Sequence, residues 1–133
     1  METMSIFHLL VRRCFNSHNK DPIMIHRGGC HCGQVRFEAE GEIEAAVACN
    51  CSICSRKGAL LWAVDAKKFH VFDAGPDMGA YAFGKRTLRH RFCRNCGIAT
   101  HSEGDGFVAI NIRCIDGLDP AKIDAVEFDG RSV

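Results

Sequence analysis

An all-β domain, built of short strands with little helix, is what this sequence predicts, and three observations predict it. From Met24 onward, apolar and polar residues alternate with the period of two that a half-buried strand requires. Turn-rich stretches such as Ala74-Gly75-Pro76-Asp77 and Glu103-Gly104-Asp105-Gly106 interrupt the alternation and keep the strands short. Helix is favoured at two places only, a turn around Ser52 to Arg56 and another opening at the cap-like Asp119-Pro120.

Residues 1–22 stand apart from this pattern. They show no strand-like alternation and carry the polar run Asn16-Ser17-His18-Asn19-Lys20-Asp21 before Pro22, so they read as a poorly ordered N-terminal extension. Residues 23–133 are left as a single domain, as a chain of 133 residues leads one to expect. The apolar stretch Ile6 to Val11 is followed, not preceded, by Arg12-Arg13, the wrong order for a secretory signal. No run approaches the roughly 18 to 20 apolar residues that span a bilayer, so no membrane partner is expected.

Within the domain, Met24-Ile25-His26-Arg27-Gly28-Gly29-Cys30 opens the first convincing segment. Val35, Phe37 and Ala39 then alternate with Gln34, Arg36, Glu38 and Glu40. Ala45 to Cys49 is a short apolar run, Leu60 to Val64 a core strand containing Trp62, and Phe69 to Phe72 another. Tyr81-Ala82-Phe83 leads through Gly84-Lys85 into Thr87 to Phe92, where Leu88, His90 and Phe92 share one face. Ile98 to His101 and Phe107 to Ile112 complete a set of about nine strands, the spacing of an all-β domain.

Cysteine usage bounds the chemistry. Nine cysteines cannot all pair within one chain, and the close groups Cys30/Cys32, Cys49/Cys51/Cys54 and Cys93/Cys96 suit metal chelation in a reducing, cytoplasmic setting better than disulfides. Three thiols in the hexapeptide Cys49 to Cys54 would leave a tetrahedral ion one open position, the arrangement of catalytic zinc. The two glycine-flanked pairs, Cys30/Cys32 and Cys93/Cys96, together make a closed four-sulfur site. Spacing alone leaves a second pairing open, Cys51/Cys54 with Cys93/Cys96, and iron–sulfur ligation shares the same thiolate spacing. Cys14 lies far from these groups and reads as an unliganded thiol, and Cys114, at the end of the Phe107 to Arg113 strand, as a small buried residue.

The series Gly29-Cys30-His31-Cys32-Gly33, Cys49-Asn50-Cys51-Ser52-Ile53-Cys54 and Phe92-Cys93-Arg94-Asn95-Cys96-Gly97 resembles the glutathione-dependent formaldehyde-activating enzymes and their relative centromere protein V. The resemblance extends from about Met24 to Gly130 and includes Val108 to Cys114 and Phe128-Asp129-Gly130. It implies the β-tent fold, small β-sheets assembled around zinc, with two ions per chain. It assigns a structural zinc to Cys30, Cys32, Cys93 and Cys96, and a catalytic zinc to Cys49, Cys51 and Cys54. The implied activity is that of a carbon–sulfur lyase of the S-(hydroxymethyl)glutathione synthase type, joining a small thiol such as glutathione to formaldehyde or a related aldehyde, or the reverse. The alternative is a two-zinc scaffold without turnover, since one fold hosts unrelated roles.

Arg56 and Lys57 follow the open site and are placed to meet a carboxylate of an anionic thiol. Lys85, Arg86, Arg89, Arg91 and Arg94 form a basic stretch that phosphate contacts would need. Against nucleic acid stand the formal charge of +1 and the roughly −2 that metallated thiolates would leave. His31 reads as a loop residue, and His90 and His101 as hydrogen-bonded strand residues.

Overall fold

The computed structural model of the protein describes residues 24–73, 78–85 and 87–132. The expected extension 1–22, Cys14 within it, the breaker 74–77 and Arg86 lie outside the described residues. Ten strands run in chain order among those described: β1 Ile25–Gly29, β2 Arg36–Glu40, β3 Ala46–Cys49, β4 Leu61–Asp65, β5 Phe69–Asp73, β6 Met78–Tyr81, β7 Arg89–Cys93, β8 Ala99–Glu103, β9 Phe107–Asn111 and β10 Ala125–Phe128. They form a three-stranded sheet in the order β1-β2-β5 and a seven-stranded sheet in the order β10-β3-β4-β9-β8-β7-β6. The all-β expectation holds, and the two helical signals are short: Cys54–Lys57 is one turn of α-helix, and Pro120–Lys122 a 3-10 turn. Asp119 caps the latter by accepting the Ala121 N–H at 3.1 Å.

The middle of the large sheet, β4 and β9, is buried on both faces, and parity along the strands decides which side chain goes where. In β4, Trp62 and Val64 point to one face and Leu61 and Ala63 to the other, all four at most 4% exposed. The first pair joins Val108, Ile110, Phe37, Ala39 and Ile112 in the main core, so the inner face of the small sheet packs here. The second pair joins Val47, Phe107 and Ala109 with Cys54 and Ala59 on the opposite face. Two apolar layers therefore flank one sheet, one under the small sheet and one under the Cys49–Cys54 loop.

One strand was not expected. β10 pairs with β3 in parallel, Val126 opposite Val47 and Phe128 opposite Cys49, whereas the other strand pairings described are antiparallel. Its residues Ala125, Val126 and Glu127 are exposed, so no apolar alternation marks it in the sequence. Trp62 is core packing as expected, its indole edge-on to His26 at 5.5 Å between centroids. Met78 to Tyr81, not Tyr81 to Phe83, is the strand that enters the Gly84-Lys85 turn, pairing Tyr81 opposite His90.

Candidate metal centres and the cavity beside one of them

The ends of β1 and β7 bring together the first sulfur group. Cys30, Cys32, Cys93 and Cys96 hold all four Sγ atoms within 4.8 Å of one another, so Cys93/Cys96 gathers with Cys30/Cys32 and not with Cys51/Cys54. Cys30 to Cys32 and Cys32 to Cys93 are both 3.6 Å between sulfurs. That is far beyond a disulfide bond and close to the roughly 3.8 Å edge of a tetrahedron of sulfurs around zinc. Each pair sits on a tight turn closed by a glycine with positive φ, Gly33 at 88° and Gly97 at 81°. Backbone amides then point at sulfur: Val35 N–H donates to Cys30 Sγ at 3.2 Å and Cys96 N–H to Cys93 Sγ at 3.5 Å. Such amides favour thiolates, and donation from Ile98 and Cys32 backbone brings the Cys96 thiol down to about 6. Upstream glycines serve differently. Gly28 has no room for a side chain, because a Cβ would lie 2.2 Å from the Cys114 carbonyl.

Cys49, Cys51 and Cys54 form the second group, again with sulfurs within 4.8 Å. Cys49 ends β3 and Cys54 starts the helical turn, with the loop between them aiming Cys51 N–H at Cys49 Sγ (3.5 Å) and Cys54 N–H at Cys51 Sγ (3.4 Å). No fourth Cys, His, Asp or Glu among the described residues joins it. Burial, then the neighbouring Cys51 and Cys49 sulfurs, drive the Cys54 thiol strongly upward, so three thiolates here require a cation. Both groups are sulfur-only donor sets of the kind soft or borderline metals select.

The second group opens into a cavity of about 700 Å³. Leu61, Phe107 and Ala109 form its sheet side, Phe83 and Leu88 another wall, and Arg56, Lys85 and Arg131 supply charge. Among the described residues, no carboxylate lines it. A loop after β10 closes over the cysteines. Asn50 donates to Asp129 Oδ1 at 2.9 Å and accepts the Arg131 N–H at 2.9 Å, tying residues 79 to 81 positions apart. Between them Gly130 is buried against the site, where a Cβ would fall 2.6 Å from Cys49 Sγ.

The family model described as glutathione-dependent formaldehyde-activating enzyme matches residues 25–128. This chain belongs to that family. Among solved structures, a crystal structure of a Rhodobacter sphaeroides protein superposes with a TM-score of 0.69 at 31% identity, covering 75% of this chain and 99% of that one. Both sulfur groups lie inside the matched region.

Not every expected residue lies where its sequence position suggested. Arg56 reaches the cavity, while Lys57 turns inward, its Nζ 3.3 Å from His90 Nδ1. Arg91 of the basic stretch is engaged by Glu103 at 3.0 Å and by the Gly79 carbonyl, on a different face from Lys85. His31 is exposed outside both sulfur groups, and Cys114 is buried with its Sγ toward the Ala99 carbonyl. His90 and His101 are hydrogen-bonded strand residues as expected, to Ser102 Oγ and Thr100 Oγ1, each at 2.9 Å. That His90 also lines the cavity is visible only once β7 and β8 are in register. The Asn50, Gly130 and Arg131 contributions were equally hidden, though Phe128-Asp129-Gly130 already belonged to the resembling segment.

Proposed function

We propose that the protein is a zinc-dependent carbon–sulfur lyase that adds a small thiol to formaldehyde or a related aldehyde, and cleaves the S-hydroxymethyl adduct in reverse. The observation that carries this is the three-sulfur group at the end of a cavity that is apolar in its walls and cationic where it is charged. One zinc is held by Cys30, Cys32, Cys93 and Cys96 and serves the fold, and a second is held by Cys49, Cys51 and Cys54. Bound at those three sulfurs, zinc supplies the positive charge that stabilises a substrate thiolate at neutral pH.

The chain's own residues do the rest. Arg56, Lys85 and Arg131 attract the carboxylates of an anionic thiol such as glutathione, and none of the three is in an ion pair among the described residues. Leu88 and Phe107 give the cavity an apolar wall, and a lower local dielectric strengthens the charge interactions in it. The unpaired state of all eight described cysteines fits a reducing cytoplasm, where glutathione keeps thiols reduced, and no described helix is long and apolar enough to cross a membrane.

Exchange spectroscopy between glutathione and S-hydroxymethylglutathione, run beside metal analysis, tests this. Wild type should bind two zinc ions and catalyse exchange, and Cys51→Ala should bind one, keep its fold and lose exchange. A two-zinc protein without exchange would instead be a scaffold.

A further inference from the structure

His90 stands in the wall of the cavity that receives the Cys49, Cys51 and Cys54 sulfurs. It lies opposite Ser102 in the β7–β8 register, and its Nδ1 is 2.9 Å from Ser102 Oγ. The same nitrogen is approached by Lys57 Nζ at 3.3 Å. An ammonium group has three donors and no acceptor, so the ring nitrogen that faces it offers a lone pair. With Lys57 as an ammonium, Nδ1 is the acceptor, and the neutral imidazole carries its proton on Nε2. Phe83, which also lines the cavity, stacks on the ring at 5.7 Å and 21°. Among the described residues, no carboxylate lines the cavity to claim that proton.

We propose that His90 is a catalytic residue, donating its Nε2–H to the aldehyde oxygen as negative charge develops there. The proposal rests on the thiol–aldehyde function above. In the forward direction the thiolate sulfur lone pair forms the C–S bond, and the carbonyl π pair moves to oxygen. His90 holds that oxyanion by hydrogen bond, and a proton from water completes the hydroxymethyl group, replacing the one the thiol released. In reverse the hydroxyl proton leaves to water, the oxygen pair reforms C=O, and the C–S pair departs on sulfur. A neutral imidazole suits this role, because it donates without surrendering its own proton. Lys57 and Ser102 position it, and burial followed by the Lys57 charge lowers its pKa to about 4, keeping the ring neutral at physiological pH.

Ring nitrogen NMR on the zinc-loaded wild type and kinetics of two variants test the idea together. His90 should show an unprotonated Nδ1 and a protonated Nε2. His90→Leu should lose roughly 10² to 10³ in kcat, the usual cost of removing one oxyanion donor, while binding glutathione and two zinc ions as wild type does. His90→Gln, which can place an amide N–H near the Nε2 position, should recover at least tenfold of that loss, a rescue that a packing role does not produce. A protonated Nδ1 in wild type overturns the proposal, whether or not His90→Leu folds. Full activity in His90→Leu overturns it and leaves the proposed function standing. Absence of exchange by wild type with both centres loaded overturns the function and the His90 role with it.

Discussion

At the scale of single residues, His101 shows how burial alone changes a histidine that chemistry does not use. It is 2% exposed, packed against Phe69 at 4.6 Å and Phe37 at 6.4 Å, and its Nε2 has no hydrogen-bond partner among the described residues, Glu103 lying 3.8 Å away. Burial lowers its pKa to about 4, with Glu103 pulling upward and Arg91 downward. The unfolded chain, with an ordinary histidine pKa near 6.5, binds the proton first as pH falls. Stability is therefore intact above about pH 6.5, declines through the window down to about 4, and loses on the order of 3 kcal/mol from this group by the bottom of it. In denaturant titrations followed by the single tryptophan, wild type should lose stability relative to His101→Phe as pH drops from 7 to 4. A constant gap across that range would refute the assignment. Gly130 gives a second residue-level outcome. Its missing side chain makes room for Cys49 Sγ, so Gly130→Ala should lower zinc from two per chain to one while thermal unfolding shifts little. Retention of both ions would show that the loop yields instead.

At the scale of elements, strand parity separates the two histidines. Across β4, β9, β8 and β7, the row Trp62, Ile110, His101, Arg91 faces the small sheet, and the row Ala63, Ala109, Ser102, His90 faces the cavity. A slip of one residue would exchange every member of the two rows, so register is fixed by both apolar layers at once. This is also why the sequence disclosed so much of the fold and only part of the site. Alternation in β2 and the apolar run of β4 are local signals, and close cysteine spacing is another, so the strands and the two sulfur groups were legible. The neighbour of His90 across the sheet is twelve residues away, and the partner of Asn50 is 79 away, with no local trace of either. β10 was invisible for a related reason: an exposed parallel edge strand has no buried face to impose alternation. Its function is to deliver the Asp129–Arg131 loop. Asn50→Ala cuts both hydrogen bonds to that loop and, as a loss of ligand-supporting contacts, should weaken the second zinc by about 10- to 100-fold. Competition with a zinc chelator measures this, and unchanged affinity would show that β10 pairing alone holds the loop.

At the scale of the whole molecule, the two sulfur groups differ in what they join. Cys30, Cys32, Cys93 and Cys96 link the end of a small-sheet strand to the end of a large-sheet strand, with Cys32 and Cys93 separated by 61 residues. Around them Val35 and Met78 form only a small apolar cluster, so sulfur takes the place of core at this seam. A tetrathiolate zinc commonly contributes about 10 to 16 kcal/mol of apparent binding energy, comparable to the roughly 5 to 15 kcal/mol net stability of an ordinary domain. The second group lies within six residues of chain, beside a face that Val47, Leu61, Phe107 and Ala109 already pack. It closes no long loop, and losing its ion should leave both sheets standing. Chelator titration of the two-zinc protein should therefore proceed in two stages. The first should release one ion and abolish glutathione exchange with tryptophan emission unchanged, because Trp62 is buried in the other layer. The second should release the remaining ion together with cooperative unfolding. Cys93→Ser should fail to fold at ordinary temperature, whereas Cys54→Ala should fold with one zinc. Loss of both ions in a single unfolding step would mean that the open centre also holds the frame, and the separation of roles between the two groups would be wrong.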